Sequence, residues 1–246
     1  MANLIIDQGN TATKLYVFKD NSIIHTNKFR NFDTQIIHQI NKILKDYLIN
    51  GVIYSSVSEP DEKIIKTLEK IDYHIIFSPS TPVPIENLYQ SPQTLGSDRL
   101  AGAIGANFLF PNTNLLIIDI GTAITYDFVS EKNQFLGGNI SPGPHLRFKA
   151  LNTFTARLPL VQTSYPQNFI GQNTREAILN GVILGITHEI LGFIHEAEKN
   201  FNNLKPILTG GYADFFGKIL KNSIFVEINL IPIGLHRVLE YNKTLL

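Results

Sequence analysis

Short apolar runs alternate along the chain with glycine-, proline- and hydroxyl-rich breaks, and that rhythm sets the expected elements. Residues 3–18 predict strand, turn and strand around Asp7-Gln8-Gly9-Asn10, and 22–30 supply a third strand. From Thr34 to Tyr47, Ile36, Ile37, Ile40, Ile43, Leu44 and Tyr47 recur at helical spacing. Gly51–Val57 predicts a β-branched strand, followed by a helix near Glu59–Lys70 and a strand near Tyr73–Phe77. Pro79, Pro82, Pro84 and Pro92 make Ser78–Gln93 an extended loop rather than an element. Leu100–Leu109 reads as a helix whose Ala101, Gly102, Ala103, Gly105 and Ala106 allow close helix contacts.

The pattern then starts again. Leu4-Ile5-Ile6-Asp7-Gln8-Gly9-Asn10-Thr11 recurs as Leu116-Ile117-Ile118-Asp119-Ile120-Gly121-Thr122-Ala123. Each copy is a buried strand, a carboxylate at its end, and a glycine turn into a second strand. After the second copy the pattern predicts strands at Thr125–Val129 and Gln134–Leu136, a loop over Gly137–Gly143, and a helix from near Pro144 past Leu151. Arg175–Asn200 is helical, with Ile178, Val182, Ile186, Ile190 and Phe193 along one face; Asn180, His188 and Glu189 make it too polar for a membrane span. Ile207–Leu208 leads into Thr209-Gly210-Gly211, a strand ending in a glycine turn before another helix, and a last helix starts at about Ile233. The organisation is α/β throughout, with halves 1–112 and 113–246 meeting near Pro111–Asn114.

Composition narrows the classes. A chain of 246 residues with 43% hydrophobic and 17% charged residues is an ordinary globular protein, neither disordered nor membrane-spanning. Lys+Arg and Asp+Glu both number 21, which leaves no bulk charge directed at nucleic acid or an acidic membrane. Absence of cysteine removes disulfides, thiolate metal sites and thiol nucleophiles. No basic and apolar leader opens the chain, so a cytoplasmic location is expected.

The first turn, Asp7-Gln8-Gly9-Asn10-Thr11-Ala12-Thr13-Lys14, gathers backbone N–H groups, hydroxyls and an ammonium. Such a turn can cradle phosphate oxygens while Lys14 adds a point charge and Asp7 holds hydrated Mg²⁺. One copy alone could equally be a hairpin whose Asp and Asn merely satisfy backbone donors. The second copy, with Asp119, Thr122 and Thr125, favours one split site facing a nucleotide across a cleft. Thr209-Gly210-Gly211 could admit a base and ribose, although a helix-entry turn explains that tripeptide better when it is taken alone. His188-Glu189 and His195-Glu196 do not make a zincin helix, because position 192 is Gly where a second His is needed.

Two Asp-Gly turns with a late Thr-Gly-Gly resemble the actin, Hsp70 and sugar-kinase superfamily. Within it the chain is similar to type III pantothenate kinases. The family signatures appear in order as Asp7-x-Gly9-Asn10-Thr11-x-x-Lys14, Tyr89-x-x-Pro92-x-x-Leu95-Gly96-x-Asp98-Arg99, and Asp119-x-Gly121-Thr122-Ala123. Gly137-Gly138-x-Ile140-x-Pro142-Gly143, Gly171-x-x-Thr174 and Thr209-Gly210-Gly211 complete the series. The Gly96-x-Asp98-Arg99 and Gly137–Gly143 segments are the specific part, since superfamily cousins share only the Asp-Gly turns.

The resemblance implies two related halves of ribonuclease H-like, actin-like ATPase fold, each a mixed sheet flanked by helices. It implies transfer of the ATP γ-phosphoryl group to the primary hydroxyl of pantothenate, with Mg²⁺ and a monovalent cation, K⁺ or NH₄⁺. Asp7, Gln8, Gly9, Asn10, Thr11, Ala12, Thr13, Lys14 and Thr122 would bind ATP. Tyr89, Gly96, Ser97, Asp98, Arg99 and Thr174 would bind pantothenate, with Asp98 as base or hydroxyl-positioning group. Arg99 offers a fork suited to the pantothenate carboxylate. From the residues alone, Ser97 or Asp98 also reads as an N-cap of the following helix, and Arg99 as a surface ion pair. Asp119 would hold the monovalent cation. The family works typically as a homodimer, and neither nucleic acid nor membrane is an expected partner. Family members vary after Pro142-Gly143, so the resemblance assigns no role to His145 and Arg147. A regulatory protein on the same scaffold, or a phosphatase of the superfamily, are the alternative activities.

Overall fold

In a computed structural model of the chain, residues 1–220 and 224–246 are described. They divide into two compact units, the first comprising Met1–Asn112, Lys132–Leu136 and Asn229–Leu246, the second Thr113–Glu131 and Gly137–Ile228.

The first unit is built on the sheet β3-β2-β1-β4-β5, made of β1 (Ala2–Gln8), β2 (Ala12–Lys19), β3 (Ser22–Arg30), β4 (Ile49–Ser56) and β5 (His74–Ile76). Every residue of β1 is buried, Leu4, Ile5 and Ile6 as expected of a central strand and the polar Asn3, Asp7 and Gln8 with them. It pairs antiparallel with β2, placing Asp7 opposite Lys14, and parallel with β4, placing Asp7 opposite Ser55. Helices α1 (Gln35–Asp46) and α2 (Glu62–Leu68) cover the sheet, burying Ile36, Ile40, Ile43, Ile64 and Leu68 with Leu4, Ile6, Val17 and Val52. The second helix is shorter than its periodicity suggests, because Asp61 caps it by accepting from Lys63 N.

Helix α3 (Ser97–Leu109) packs closely on α7 (Leu230–Lys243) within this unit. A methyl at Gly105 would collide with the Leu230 carbonyl, and one at Gly234 with that of Ala101. The small residues of α3 therefore serve an intramolecular helix pair. Glu240 and Lys243 continue the attachment: Asn3 Nδ2 donates to Glu240 at 2.7 Å, and Lys243 Nζ donates to Asn3 Oδ1 at 2.7 Å and Asn50 Oδ1 at 3.0 Å. The last helix starts at Leu230, three positions before the pattern suggests, with Pro232 accommodated in its first turn.

The second unit repeats the plan. It holds strands β7 (Leu115–Ile120), β8 (Ala123–Ser130), β10 (Lys205–Thr209) and β11 (Phe225–Val226), and β9 (Gln134–Pro142) enters it from Gly137; their order is β11-β10-β7-β8-β9. As in the first sheet, a central strand is antiparallel to the next in sequence and parallel to a later one; Asp119 faces Thr125 on β8 and Thr209 on β10. Helices α4 (Pro144–Thr153), α5 (Thr174–Asn200) and α6 (Ala213–Leu220) complete it. Contrary to the polarity expectation, helix α5 is long and apolar enough to cross a membrane by composition, but Ile178, Val182, Ile183, Ile186 and Ile190 are buried in this unit's core with Leu116, Ile118 and Ile124.

Two loop expectations are corrected. Gly137–Pro142 continues β9 instead of forming a loop, because Gly138 lies where any side chain would strike the Tyr126 carbonyl on the neighbouring strand. The proline-rich stretch 78–93 contains a two-residue strand, β6 (Glu86–Asn87), paired with Gln134 and Phe135 at the start of β9, and a 3-10 turn at Pro92–Thr94. Helix α3 also starts earlier than expected, with Gly96 in the capping position and Ser97 and Asp98 already helical.

Candidate active site

The first turn is short because β1 hands over to β2 within Gly9-Asn10-Thr11, closed by the Gly9 N–H donating to the Ala12 carbonyl at 3.0 Å. Asn10 and Thr11 are exposed at its tip, while Lys14 is half-buried beside Asp7. A methyl added at Gly9 would meet nothing nearer than the Ala12 carbonyl at 3.5 Å. The fold itself does not require glycine there, and the space beside its backbone is open.

Not every side chain of the turn points outward. Gln8 accepts from the Tyr54 hydroxyl at 2.5 Å and donates to Ser58 Oγ at 3.3 Å. Thr13 Oγ1 donates to Asn31 Oδ1 at 2.9 Å, and Asn31 Nδ2 donates to the Gly9 carbonyl at 2.8 Å. Asn31 thus braces the turn from the strand end opposite, a role carried by no pattern in the sequence.

Asp7 is 6% exposed. Burial pushes its carboxyl up to about 6; Lys14 opposes this and the charge of Asp98 adds to it. The structure therefore brings the Asp7–Lys14 turn and Asp98 into one electrostatic neighbourhood. Asp98 is itself raised above the usual carboxylate range by burial, opposed by the Arg99 N–H, which donates to its Oδ1 at 2.8 Å, and by the Arg99 charge. Ser97 fixes the helix start: Ser55 Oγ donates to Ser97 Oγ at 3.0 Å, which donates to the Ser56 carbonyl at 3.0 Å. Since Ser55 is the neighbour of Asp7 across β1 and β4, one register positions both carboxylates.

Arg99 is buried, contrary to the surface ion-pair alternative. Its guanidinium lies 5.5 Å from the centre of the Tyr89 ring and 6.0 Å from that of Phe135. The proline-rich loop, β6 and the start of β9 thus assemble Tyr89, Phe135 and Arg99 beside Gly96-Ser97-Asp98. Phe135 lies far from this motif in sequence and only the β6–β9 pairing reveals it.

In the second unit, Asp119 is half-buried at the end of β7 and Thr122 is exposed at the turn, which closes through the Gly121 N–H and Ala123 carbonyl at 2.9 Å. Gly210, at φ +91°, lies so close that a side chain there would strike the Asp119 carboxylate. The Thr209-Gly210-Gly211 turn is thereby tied to the second Asp turn, a link its three residues could not disclose. Thr174 is the exposed first residue of α5, set by Asn173, whose Oδ1 accepts from Glu176 N at 3.0 Å.

Two sheets of like order, each with an Asp at the end of its central strand beside a tight turn, have the architecture of the actin-like ATPase and sugar-kinase folds. The activator of 2-hydroxyisocaproyl-CoA dehydratase from Clostridium difficile, solved with ADPNP, matches 100% of this chain and 97% of its own at 14% identity and a TM-score of 0.53. A Campylobacter jejuni protein assigned to the Baf family of transcriptional activators matches 98% of this chain and 99% of its own at 22% identity and a TM-score of 0.61. At such identities the likeness concerns the fold alone. The profile of type III pantothenate kinases matches residues 3–196, and the type III pantothenate kinase of Phocaeicola vulgatus is 41% identical over 99% of this chain and 100% of its own length. The chain belongs to the type III pantothenate kinase family and is an ATP-dependent kinase.

Proposed function

We propose that this kinase transfers the γ-phosphoryl group of ATP to the primary hydroxyl of pantothenate, giving 4′-phosphopantothenate, the first step toward coenzyme A. The observation that carries the reading is the grouping of the Asp7–Lys14 turn with Asp98 and Arg99 in the first unit. Phosphoryl transfer needs little covalent help from a protein; it needs an oriented nucleophile and neutralised phosphate charge. Gly9, Asn10 and Thr11 offer backbone and polar groups to the phosphates, and Lys14 supplies positive charge. Asp98 accepts the hydroxyl proton as oxygen attacks the γ-phosphorus and the bond to the bridging oxygen breaks, releasing ADP. Its raised proton affinity suits that work. Arg99, whose guanidinium lies over the Tyr89 and Phe135 rings, receives the pantothenate carboxylate, with Gly96 and Ser97 beside it; Thr174 is a further acceptor contact on the family resemblance alone.

The donor set also fits the expected ions. Among the described residues no group of three or more His, Asp or Glu side chains forms a metal cage. Mg²⁺ needs no such cage, since it keeps its waters and is held by one or two carboxylates and substrate phosphates. Asp7 would hold it through water, and the ion would neutralise charge on the phosphates. Asp119 would hold K⁺ or NH₄⁺, while Thr122 contacts ATP. The enzyme is expected to act as a cytoplasmic homodimer.

ADP release from purified protein, with ATP and Mg²⁺, with and without pantothenate, in potassium and then sodium buffer, tests these assignments together. Turnover that needs both pantothenate and potassium is the expected result. Turnover without an acceptor would identify a phosphatase instead, and no turnover in any buffer would favour a regulatory protein on this scaffold.

A further inference from the structure

Glu189, on α5, stands outside every motif that marks the family, yet its carboxylate collects donors from three elements of the second unit. Ser141 Oγ on β9 donates to Oε1 at 2.5 Å and the Tyr126 hydroxyl on β8 donates to the same oxygen at 2.8 Å. Arg147 on α4 donates to Oε2 at 2.6 Å. The pair is mostly sheltered, with side chains 21% and 25% exposed for Arg147 and Glu189. Burial pushes the Glu189 carboxyl up, but the hydrogen bonds from Ser141, Arg147 and Tyr126 prevail and hold it below the usual range.

The same guanidinium faces the other way as well. Arg147 Nε donates to the Pro142 carbonyl at 2.7 Å, at the peptide that joins Pro142 to Gly143. The Gly143 N–H then donates to the Thr122 carbonyl at 2.9 Å. Contact here is tight enough that a methyl on Gly143 would collide with the Gly121 and Thr122 carbonyls. A continuous series of direct contacts thus runs from Glu189 through Arg147 and Pro142-Gly143 to the turn that carries Thr122.

We propose that Glu189 and Arg147 are positioning residues for nucleotide binding: they hold the Ser141–Gly143 strand end against the Gly121-Thr122 turn and so set its backbone for ATP. This inference rests on the reading that Thr122 contacts ATP. The geometry suits a brace more than a surface ion pair. A planar fork that bridges a carboxylate and a backbone carbonyl fixes direction as well as distance, which an ammonium on a flexible stem does not.

Glu189→Gln keeps an acceptor for Ser141 and Tyr126 but removes the charge that orients Arg147. Arg147→Lys keeps the charge but cannot make both bonds in one plane. Each is expected to weaken binding of a fluorescent ADP analogue about tenfold and to raise KM for ATP similarly, an effect of the size that ~1.4 kcal/mol produces. The KM for pantothenate should stay within about twofold, because uniform damage would move both substrates. The double variant should be no worse than the weaker single variant, since both remove the same brace.

Wild-type nucleotide affinity in both single variants would overturn the proposal. So would equal changes in both substrate constants accompanied by a lowered melting temperature, the mark of a merely structural pair. If Glu189→Gln fails to fold, Arg147→Lys decides the question alone. Wild-type protein that binds the analogue but does not phosphorylate pantothenate would refute the acceptor assignment, while the titrations would still judge the brace.

Discussion

Asp98 bears on Asp7 through its charge: together with burial, it helps to hold the Asp7 carboxyl at about 6 against the pull of Lys14. Two carboxylates in one sheltered neighbourhood cannot both ionise freely without a compensating cation. A site of this kind is costly to keep without ligand and becomes balanced once positive charge arrives.

Asp7→Asn should therefore stabilise the ligand-free protein above pH 6 while removing activity. Asp7 binds its proton more tightly when folded than unfolded, so its contribution favours folding below pH 3.8 and is lost as pH rises to about 6. The difference corresponds to about 3 kcal/mol. Denaturant melts of both proteins at pH 5 and pH 8 check this; a gap that does not widen at pH 8 would contradict it.

Asp98→Asn keeps the shape of the side chain and an oxygen for the Arg99 N–H. It should leave nucleotide binding intact and lower kcat by about 10²–10⁴-fold, the usual worth of a positioned acid or base. Single-turnover measurements at saturating ATP and pantothenate give the number, and wild-type turnover would remove Asp98 from the mechanism.

The adjacent glycines 210 and 211 should behave differently. Gly210→Ala places a methyl against the Asp119 carboxylate in a left-handed backbone, and is expected to cost more than ~1 kcal/mol and to impair the response to potassium. Gly211→Ala, where an added Cβ meets nothing within 4 Å, should change stability by no more than about 0.5 kcal/mol. Paired thermal melts and potassium titrations of activity separate the two.

Asn31→Ala removes both the acceptor of Thr13 and the donor to the Gly9 carbonyl. It should destabilise by about 1–3 kcal/mol and raise KM for ATP more than KM for pantothenate. An unchanged ATP KM would show that the turn holds its shape unaided.

Much of this was legible because the chemistry lies where strands end. An apolar run stopping at Asp7 and again at Asp119 discloses two central strands, and the sheets built on them share one order. Helix α5 was visible from Ile178, Val182, Ile186 and Ile190, since a buried face leaves a periodic trace. What stayed hidden depends on proximity across the fold. Glycines at 137 and 138 look like a loop unless the strand they cross is known. Phe135 backs Arg99 only because two residues of a proline-rich stretch pair with β9. Glu189 and Arg147 resemble surface charges until Ser141, Tyr126 and the Pro142 carbonyl come into view. Gln8 and Thr13 sit in the Asp7–Lys14 motif, yet their side chains are engaged by Tyr54 and Asn31, which motif spacing alone does not reveal.

Helix α7 has a bearing on how the protein is made. It belongs to the first unit, where its Gly234 nests on Ala101 and its Glu240 and Lys243 hold Asn3, but it is translated after the whole of the second. The nascent chain must therefore carry its opening sheet, with the α3 surface uncovered, through synthesis of about half its length. The second unit holds every strand and helix of its own before that point. During translation, the half that emerges later is the one equipped to mature sooner.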